Sequence, residues 1–412
     1  VSLSAAYAAA ASLAGPALRL SLRRRVRRGK EVAERLGERR GIDATPRPAG
    51  RLLWLHAASV GEATSVLPVL SALSQDVSVL MTTGTVTSAR LLDARLPELG
   101  LAGRVTHRFV PLDVPRWAAR FLDHWRPDAA AFVESELWPN LLAGCQARGV
   151  PAALVNARMS PRSFSHWRRA PRMAARMLGG LAEVRARSTA DAERFSALGA
   201  RNVTAPGDLK FAAPKLPASP ETLAALRAAT AGRAAWLAAS THPGEEEVVL
   251  EAHRRLLPAH RSLLTIIAPR HPERGPGIAP DAPHRSAGRG PDAPVWVADT
   301  LGELGLLYRL APIVLVGRSL IRPGGGQNML EPARLGCAVA CGPFTENFDD
   351  AAEALNGALT RVADAEELAG WVDAMLRDPV RRAILGEEAQ AAADRFSGLP
   401  AETARALERL IG

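Results

Sequence analysis

Residues 51–62 read Arg51-Leu52-Leu53-Trp54-Leu55-His56-Ala57-Ala58-Ser59-Val60-Gly61-Glu62. Leu52 to Ala57 is a short apolar run of strand length. Ser59-Val60-Gly61 forms a tight glycine-containing turn, and Glu62 to Leu73 follows with a helical pattern. A strand that passes through a tight turn into a helix is the opening of a βαβ unit. The alternation continues outward: strands at Val77 to Thr82, Val105 to Val110, Ala129 to Glu134 and Ala152 to Asn156, with a helix near Ser88 to Leu96. Strands rich in Val, Leu and Ile with helices between them predict a parallel sheet covered on both faces.

Ala212 to Pro220 (Ala-Ala-Pro-Lys-Leu-Pro-Ala-Ser-Pro) carries three prolines and breaks the pattern, as a linker does. The alternation then restarts with strands at Ala235 to Ser240, Leu263 to Ala268, Val295 to Ala298, Ile313 to Gly317 and Ala338 to Cys341. Helices follow at Asp364 to Arg377, with Asp364 as its N-cap, and at Pro379 to Phe396. The chain therefore divides into an arm (1–42), a first domain (43–211), a linker (212–232) and a second domain with the C-terminal helices (233–412). Two doubly wound, Rossmann-like α/β domains of similar size place a cleft between them. Ligands in such folds sit beyond the carboxyl ends of the strands.

Composition narrows the class. Of 412 residues, 47% are hydrophobic and 23% charged, which excludes a disordered chain and a polytopic membrane protein. Three cysteines exclude a disulfide scaffold, and Cys337 and Cys341, spaced C-x3-C without a second pair, do not make a structural zinc site. A reducing compartment fits. The 52 basic and 42 acidic residues leave a net +10. Twelve Lys/Arg and four Asp/Glu lie between Arg19 and Arg51, a local +8 in and just beyond the arm. Because the excess sits in one arm, with no basic stripe interleaved with aromatics elsewhere, a nucleic-acid binder is disfavoured.

The arm has two parts. Val1 to Leu18 is apolar and alanine-rich; Arg23, Arg24, Arg25, Arg27 and Arg28 follow. In a secretory signal the charge precedes the apolar run, so the polarity is wrong for one. The positive-inside rule puts the basic cluster and the body behind it on the cytoplasmic side. A membrane span, a helix lying on the surface, and a soluble helix packed on the body are the three readings. Each Arg near an anionic leaflet contributes on the order of 1 kcal/mol.

Five constellations carry candidate chemistry. Glu62, at the carboxyl edge of the first strand, is placed to act as a general base towards a hydroxyl, or simply to favour the helix dipole. Glu134 and Glu136 end a buried strand, where charge is costly without a partner; either they meet helix N-termini or arginines, or Glu134 stands where positive charge develops. Lys210 is one of only three lysines, against 49 arginines. It is kept by chance or for its compact ammonium. Pro269-Arg270-His271-Pro272-Glu273-Arg274 follows a strand, and an Arg there suits a phosphate or is a solvated surface residue. Pro323-Gly324-Gly325-Gly326-Gln327-Asn328-Met329-Leu330-Glu331-Pro332 is a glycine-rich loop before a helix. Its free N–H groups would bind an anion, with Glu331 on ribose hydroxyls, unless it is a plain turn. It is neither a Walker motif nor G-x-G-x-x-G, which disfavours NAD. Arg270 and the loop together point to a nucleotide.

Taken together these strings resemble the 3-deoxy-D-manno-octulosonic acid (Kdo) transferases of lipopolysaccharide synthesis. The resemblance covers about residues 30 to 350. It rests on His56 to Glu62, Glu134-Ser135-Glu136-Leu137-Trp138-Pro139-Asn140, Asn156-Ala157-Arg158-Met159-Ser160 and Gly207 to Lys210. Ala268 to Arg274, Gly325 to Asn328 with Glu331-Pro332, and Gly342-Pro343 with Asn347-Phe348 complete it. It implies an inverting GT-B glycosyltransferase with an N-terminal membrane-anchoring helix, at the cytoplasmic face of the bacterial inner membrane. The implied donor is CMP-Kdo, the acceptor a lipid A precursor of the lipid IVA type, and the further partner an anionic membrane surface. By this resemblance Glu62 is the catalytic base, and Glu134 and Lys210 stabilise the transition state. CMP is bound by Pro269, Arg270, Thr300, Leu301, Gly302, Asn328, Met329, Leu330 and Glu331. The scheme needs no metal or cofactor, and no Asp-x-Asp motif ends a strand. Two residues depart from the family pattern: Asp208 where Asn is more common, and Arg318 where a second Gly is usual. The alternatives are a GT-B enzyme using another sugar nucleotide, and a non-catalytic membrane adaptor.

Overall fold

Apolar runs too short for helices, and buried on both sides, become the strands. In the first sheet these are β1 (Arg51–Ala57), β2 (Val77–Thr83), β3 (Val105–Phe109), β4 (Ala129–Val133), β5 (Ala152–Ala157), β6 (Glu183–Ala186) and β7 (Val203–Thr204). All pair in parallel, in the order β3-β2-β1-β4-β5-β6-β7. The second sheet holds β8 (Ala235–Thr241), β9 (Leu264–Pro269), β10 (Val295–Val297), β11 (Ile313–Val316), β12 (Ala338–Cys341) and β13 (Leu359–Arg361), in the order β10-β9-β8-β11-β12-β13. Each sheet runs outward from its first strand and then reverses. The switch points fall between β1 and β4 and between β8 and β11, where doubly wound sheets bind ligands. The computed structural model describes residues 3–212 and 214–412; Val1 and Ser2 of the arm and Ala213 of the linker lie outside the described residues.

Three strands escape a sequence reading. β6 and β13 carry charged residues, and β7 is two residues long, so none shows a usable hydrophobic period. The chain forms two compact units, Val1–Ala213 with Gly398–Gly412, and Pro214–Ser397. This differs from a second domain running from 233 to 412. The last helix, Leu399–Ile411, returns to the first unit, where Glu402 pairs with Arg185 and Glu408 accepts the Ser74 N–H at 2.7 Å. The stretch 212–232 is also more than a linker. Pro220–Ala229 is a helix of the second unit, capped by Ser219.

The first core gathers around Trp54, whose ring centroid lies 4.8 Å from Phe121 and 5.0 Å from Phe132. The second gathers Trp236, Ile267, Val297 and Leu315 beneath the helix Ala365–Arg377. Asp364 caps that helix through the N–H groups of Glu366 and Glu367, as its position predicts.

The arm is a helix, Leu3–Arg27, whose Tyr7 hydroxyl donates to Asp113 Oδ2 at 3.0 Å. No helix among the described residues is long and apolar enough to cross a membrane. That corrects the spanning reading: alanine and serine dilute the hydropathy, and Arg19 falls inside the helix. The arm's charge is also not one outward patch. Buried Arg39 grips Glu31 at 3.0 Å and the carbonyls of Gly84 and Val110. Arg25 joins Glu31, Arg35 pairs with Glu38, and Arg47 with Asp128. Arg23, Arg24, Arg27 and Arg28 remain exposed.

Candidate active site

In the first unit the site grows from the carboxyl ends of β1, β4 and β5. Ser59 caps the helix Val60–Ala72: its Oγ accepts the Glu62 N–H at 3.3 Å and donates to Glu62 Oε1 at 2.7 Å. The Ala58 N–H donates to Glu62 Oε2 at 2.8 Å. This resembles a capping box with the return bond shifted to the residue before the N-cap, so the local, dipole-favouring reading of Glu62 is physically realised. Both donors are neutral, however, and among the described residues Glu62 has no ion pair. Burial lifts its pKa above the usual glutamate value, against the bonds from Ser59 and Ala58, and the negative charges of Glu136 and Glu134 add to the rise. A half-buried carboxyl with raised proton affinity is suited to accept a proton.

Glu134 follows β4 in the left-handed region, φ 57°. Such a backbone is uncommon for a residue with a Cβ and is held here by the Glu134 N–H to Val155 O at 3.0 Å. Its side chain receives Lys210 Nζ at 2.6 Å. Glu134 is therefore satisfied by a lysine, neither by an arginine nor by a helix N-terminus. Lys210 sits in a short 3-10 turn, Leu209–Ala212, packed against the helices Val60–Ala72 and Leu399–Ile411. Asn156, also left-handed at φ 52°, donates to Asp208 Oδ1 at 3.0 Å and accepts the Leu209 N–H at 2.8 Å. Asp208, one of the two departures, is buried; it accepts the Lys210 N–H at 2.9 Å and faces Arg187 at 3.7 Å. Its carboxylate shapes the turn and forms no ion pair with the Lys210 ammonium.

Glu136 has its own support. Its Oε2 accepts the Trp138 indole N–H at 2.6 Å and lies 3.3 Å from His56 Nε2. His56 is fully buried, with Nδ1 3.0 Å from both Thr82 O and Thr82 Oγ1. Although burial opposes it, the bond to His56 and its charge, with the Trp138 bond, hold Glu136 below the usual carboxyl range. Sequence reading named Glu136 but gave no role to His56, Trp138 or Asn156. The one signal was their place in the strings that end β1, β4 and β5.

In the second unit Pro269 ends β9 and Arg270 follows, exposed. Arg270 N–H donates to Thr241 O at 3.0 Å, and its guanidinium makes no hydrogen bond or ion pair among the described residues. Burial raises the pKa of Glu331; Asn328, donating at 3.2 Å, and the charges of Arg270 and Arg334 oppose the rise. Asn328, Glu331 and Arg270 thus share one neighbourhood. Met329 and Leu330 are buried, 0% and 2% exposed, so their side chains belong to the core and only their backbone is open to a ligand role. Thr300 donates to the Glu303 carboxylate, which Arg285 holds in a fork at 2.6 Å through both nitrogens; Leu301 beside it is 77% exposed, and Gly302 follows. Arg274 is committed elsewhere, forked onto buried Glu246 at 2.9 and 3.0 Å.

The glycine loop corrects an expectation. Its N–H groups are not free: Gly324 donates to Ile321 O, Gly325 to Phe344 O and Gly326 to Arg318 O. The glycines serve close packing instead, since a Cβ on Gly324 would stand 2.3 Å from Phe344 Cβ and one on Gly325 2.3 Å from Asn347 Nδ2. The loop is a rigid wall against the Phe344–Phe348 turn, and an anion cradle built from these three N–H groups is excluded. Among the described residues no group of three or more His, Cys, Asp or Glu is placed to hold a metal ion.

The family profile described as 3-deoxy-D-manno-octulosonic-acid transferase (Kdo transferase) matches residues 30–213, the stretch that carries Glu62, Glu134 and Lys210. A probable mitochondrial 3-deoxy-D-manno-octulosonic acid transferase of Arabidopsis thaliana is 35% identical over 389 residues, covering 88% of this chain and 86% of that one. The 3-deoxy-D-manno-octulosonic acid transferase of Bordetella pertussis is 34% identical over 384 residues, covering 89% of each. A glycosyltransferase structure from Rickettsia africae superposes with a TM-score of 0.59 at 13% identity, over 88% of this chain and 99% of that one, and shares the GT-B-like two-domain fold. The family profile and identity along nearly the whole chain agree: this chain belongs to the Kdo transferases, glycosyltransferases of lipopolysaccharide biosynthesis.

Proposed function

We propose that this Kdo transferase moves Kdo from CMP-Kdo to a lipid A precursor of the lipid IVA type, with inversion at the anomeric carbon, at the cytoplasmic face of the inner membrane. The observation that carries the reading is Glu62: a half-buried carboxyl at the switch point of the first sheet, bonded only by neutral donors, beside the Glu134–Lys210 pair. Glu62 takes the proton of a glucosamine hydroxyl as its oxygen bonds to the anomeric carbon. The bond from that carbon to the phosphate oxygen breaks, and CMP leaves with the electron pair. The sugar acquires oxocarbenium character, as in glycoside hydrolysis. Glu134 stabilises that positive charge. Lys210 fixes Glu134 and balances the donor's carboxylate. A single in-line displacement inverts the centre. Arg270, with Asn328 and Glu331, receives the nucleotide; Pro269 and the Thr300-Leu301-Gly302 turn border it, and Met329 and Leu330 contribute backbone.

For the membrane, the support is the exposed face of the arm helix. Leu13 and Leu20, one heptad apart, are 83% and 50% exposed, and Arg23, Arg24, Arg27 and Arg28 continue beyond them. A helix lying on an anionic surface uses both features. The experiment is transfer by the full chain from CMP-Kdo to a lipid IVA-type acceptor, read by mass analysis of the lipid and by the anomeric configuration of the product. Glu62→Ala should bind CMP and make no Kdo-lipid. Normal turnover by that variant removes Glu62 from the mechanism, and protection by UDP but not CMP overturns the donor.

A further inference from the structure

Arg318 stands two residues after β11, at the switch point of the second sheet. Its backbone is left-handed, φ 58°, a conformation that is costly for a side-chain-bearing residue and persists only where the surroundings enforce it. The enforcement is visible. Buried Glu245 accepts the Arg318 N–H at 2.6 Å and the Ser319 and Leu320 N–H groups at 2.8 and 2.9 Å, and the Arg318 carbonyl accepts Gly326 N–H at 2.7 Å. Nothing comparable holds the other end. The guanidinium is partly buried, yet among the described residues it has no hydrogen bond or ion pair. Its neighbours are committed to other groups: Glu245 accepts backbone N–H groups, Arg274 is forked onto Glu246, and His242 is held below its usual pKa by burial, against the charge of Glu245 and with the Arg318 charge adding to the fall. His242 directly follows the adjoining strand β8, and its ring lies 5.8 Å from that of His271, next to Arg270. Two uncommitted guanidinium groups, Arg318 and Arg270, thus sit on either side of His242 along one sheet edge. A partly buried, unpaired cation on a strained and clamped backbone calls for an anion from outside.

We propose that Arg318 is a second donor-binding arginine, which pairs with an anionic group of the sugar nucleotide and sets affinity for the donor. This rests on the reading that the second unit binds CMP-Kdo, whose phosphate and sugar carboxylate are the two anions available.

The test uses the full chain with Arg318→Asn, which tolerates a left-handed backbone and removes the charge, Arg318→Lys, which keeps a charge, and Arg270→Ala as a control for the donor site. Titration calorimetry with CMP and steady-state kinetics with CMP-Kdo are the readouts. Loss of one charge-assisted contact should weaken donor binding by roughly 10- to 100-fold in the Asn variant. The Lys variant should recover part of that, and the thermal midpoint of the Asn variant should stay level or rise, because a strained residue is relieved. Weakening of both CMP and CMP-Kdo assigns the phosphate; weakening of CMP-Kdo alone assigns the carboxylate; either supports the proposal. If Arg318→Asn leaves both unchanged while Arg270→Ala weakens them, Arg318 is not a donor residue and the donor site stands. If neither variant changes binding, the donor site itself is misplaced. A fall in stability of the Asn variant with unchanged affinity would make Arg318 structural and overturn the proposal.

Discussion

Glu62 and Glu245 occupy corresponding places in two sheets of the same winding. Each lies in the first turn of the helix that follows the first strand of its sheet. Their surroundings are opposite. Glu245 is 1% exposed and accepts four backbone N–H groups, from His242, Arg318, Ser319 and Leu320. Glu62 is half-buried, accepts only Ala58 N–H and the Ser59 hydroxyl, and feels two neighbouring carboxylates. One glutamate is a fastener of loops, and the other is bonded only by two neutral donors beside its own helix start. The same contrast extends along each sheet edge. The first collects Glu62, Glu134 and Glu136 with Lys210; the second spends its carboxylates Glu245 and Glu246 on structure and leaves Arg270 and Arg318 uncommitted. A shared frame thus ends in a cluster of carboxylates in one unit and in uncommitted arginines in the other. The frame fixes where a ligand goes, and the residues at the strand ends fix which one.

The contrast can be broken most sharply at Glu62. Glu62→Ala should lower kcat by about 10²- to 10⁴-fold, the usual range for a general base, with CMP binding retained. A normal rate would make Glu62 a helix cap and nothing more. Glu245→Ala should do the reverse. It strands four buried donors, so it should destabilise the second unit by about 3 kcal/mol or more, seen as a lower midpoint in denaturant, while Glu62→Ala costs about 1 kcal/mol as a lost cap. Equal stability losses would erase the distinction.

Lys210→Met tests the pair beside Glu62. Loss of the cation 2.6 Å from Glu134 should lower kcat by about 10²-fold, and Lys210→Arg should restore only part of it, since a planar fork does not replace a compact ammonium. The smallest effect is a pH shift. The raised proton affinity of Glu62 puts the acidic limb of kcat/KM above the ordinary glutamate range, with activity lost as pH falls through that limb. Glu136→Gln removes a negative neighbour that favours the protonated form, so the limb should move to lower pH. A limb that stays fixed would mean that Glu136 does not act on Glu62.

Much of this was legible in the chain. Apolar strand runs between helical patterns specify parallel sheets, because only strands buried on both faces are apolar throughout. The Asp364 cap and the strands carrying Glu62 and Glu134 could be read because local chemistry fixes them. β6, β7 and β13 could not, since short or charged edge strands form only when a neighbour is already present. The spare look of the glycine loop was misleading for the same reason: its N–H groups are consumed by Phe344 and Arg318, residues distant in sequence or across a turn. So was the arm, where Arg39 turns inward to Glu31 while Arg23 and Arg24 stay outside.

By itself, then, the sequence determined the class of fold, the strings at the strand ends and the family they resemble, because hydrophobic period, turn chemistry and residue order are properties of neighbours along the chain. Which first-turn glutamate is free and which is consumed, whether Lys210 meets Glu134, how Asp208 is satisfied, and that the last helix returns to the first unit were decided only by tertiary structure. Burial and long-range hydrogen bonds set those outcomes, and both depend on groups that come together only when the chain has folded.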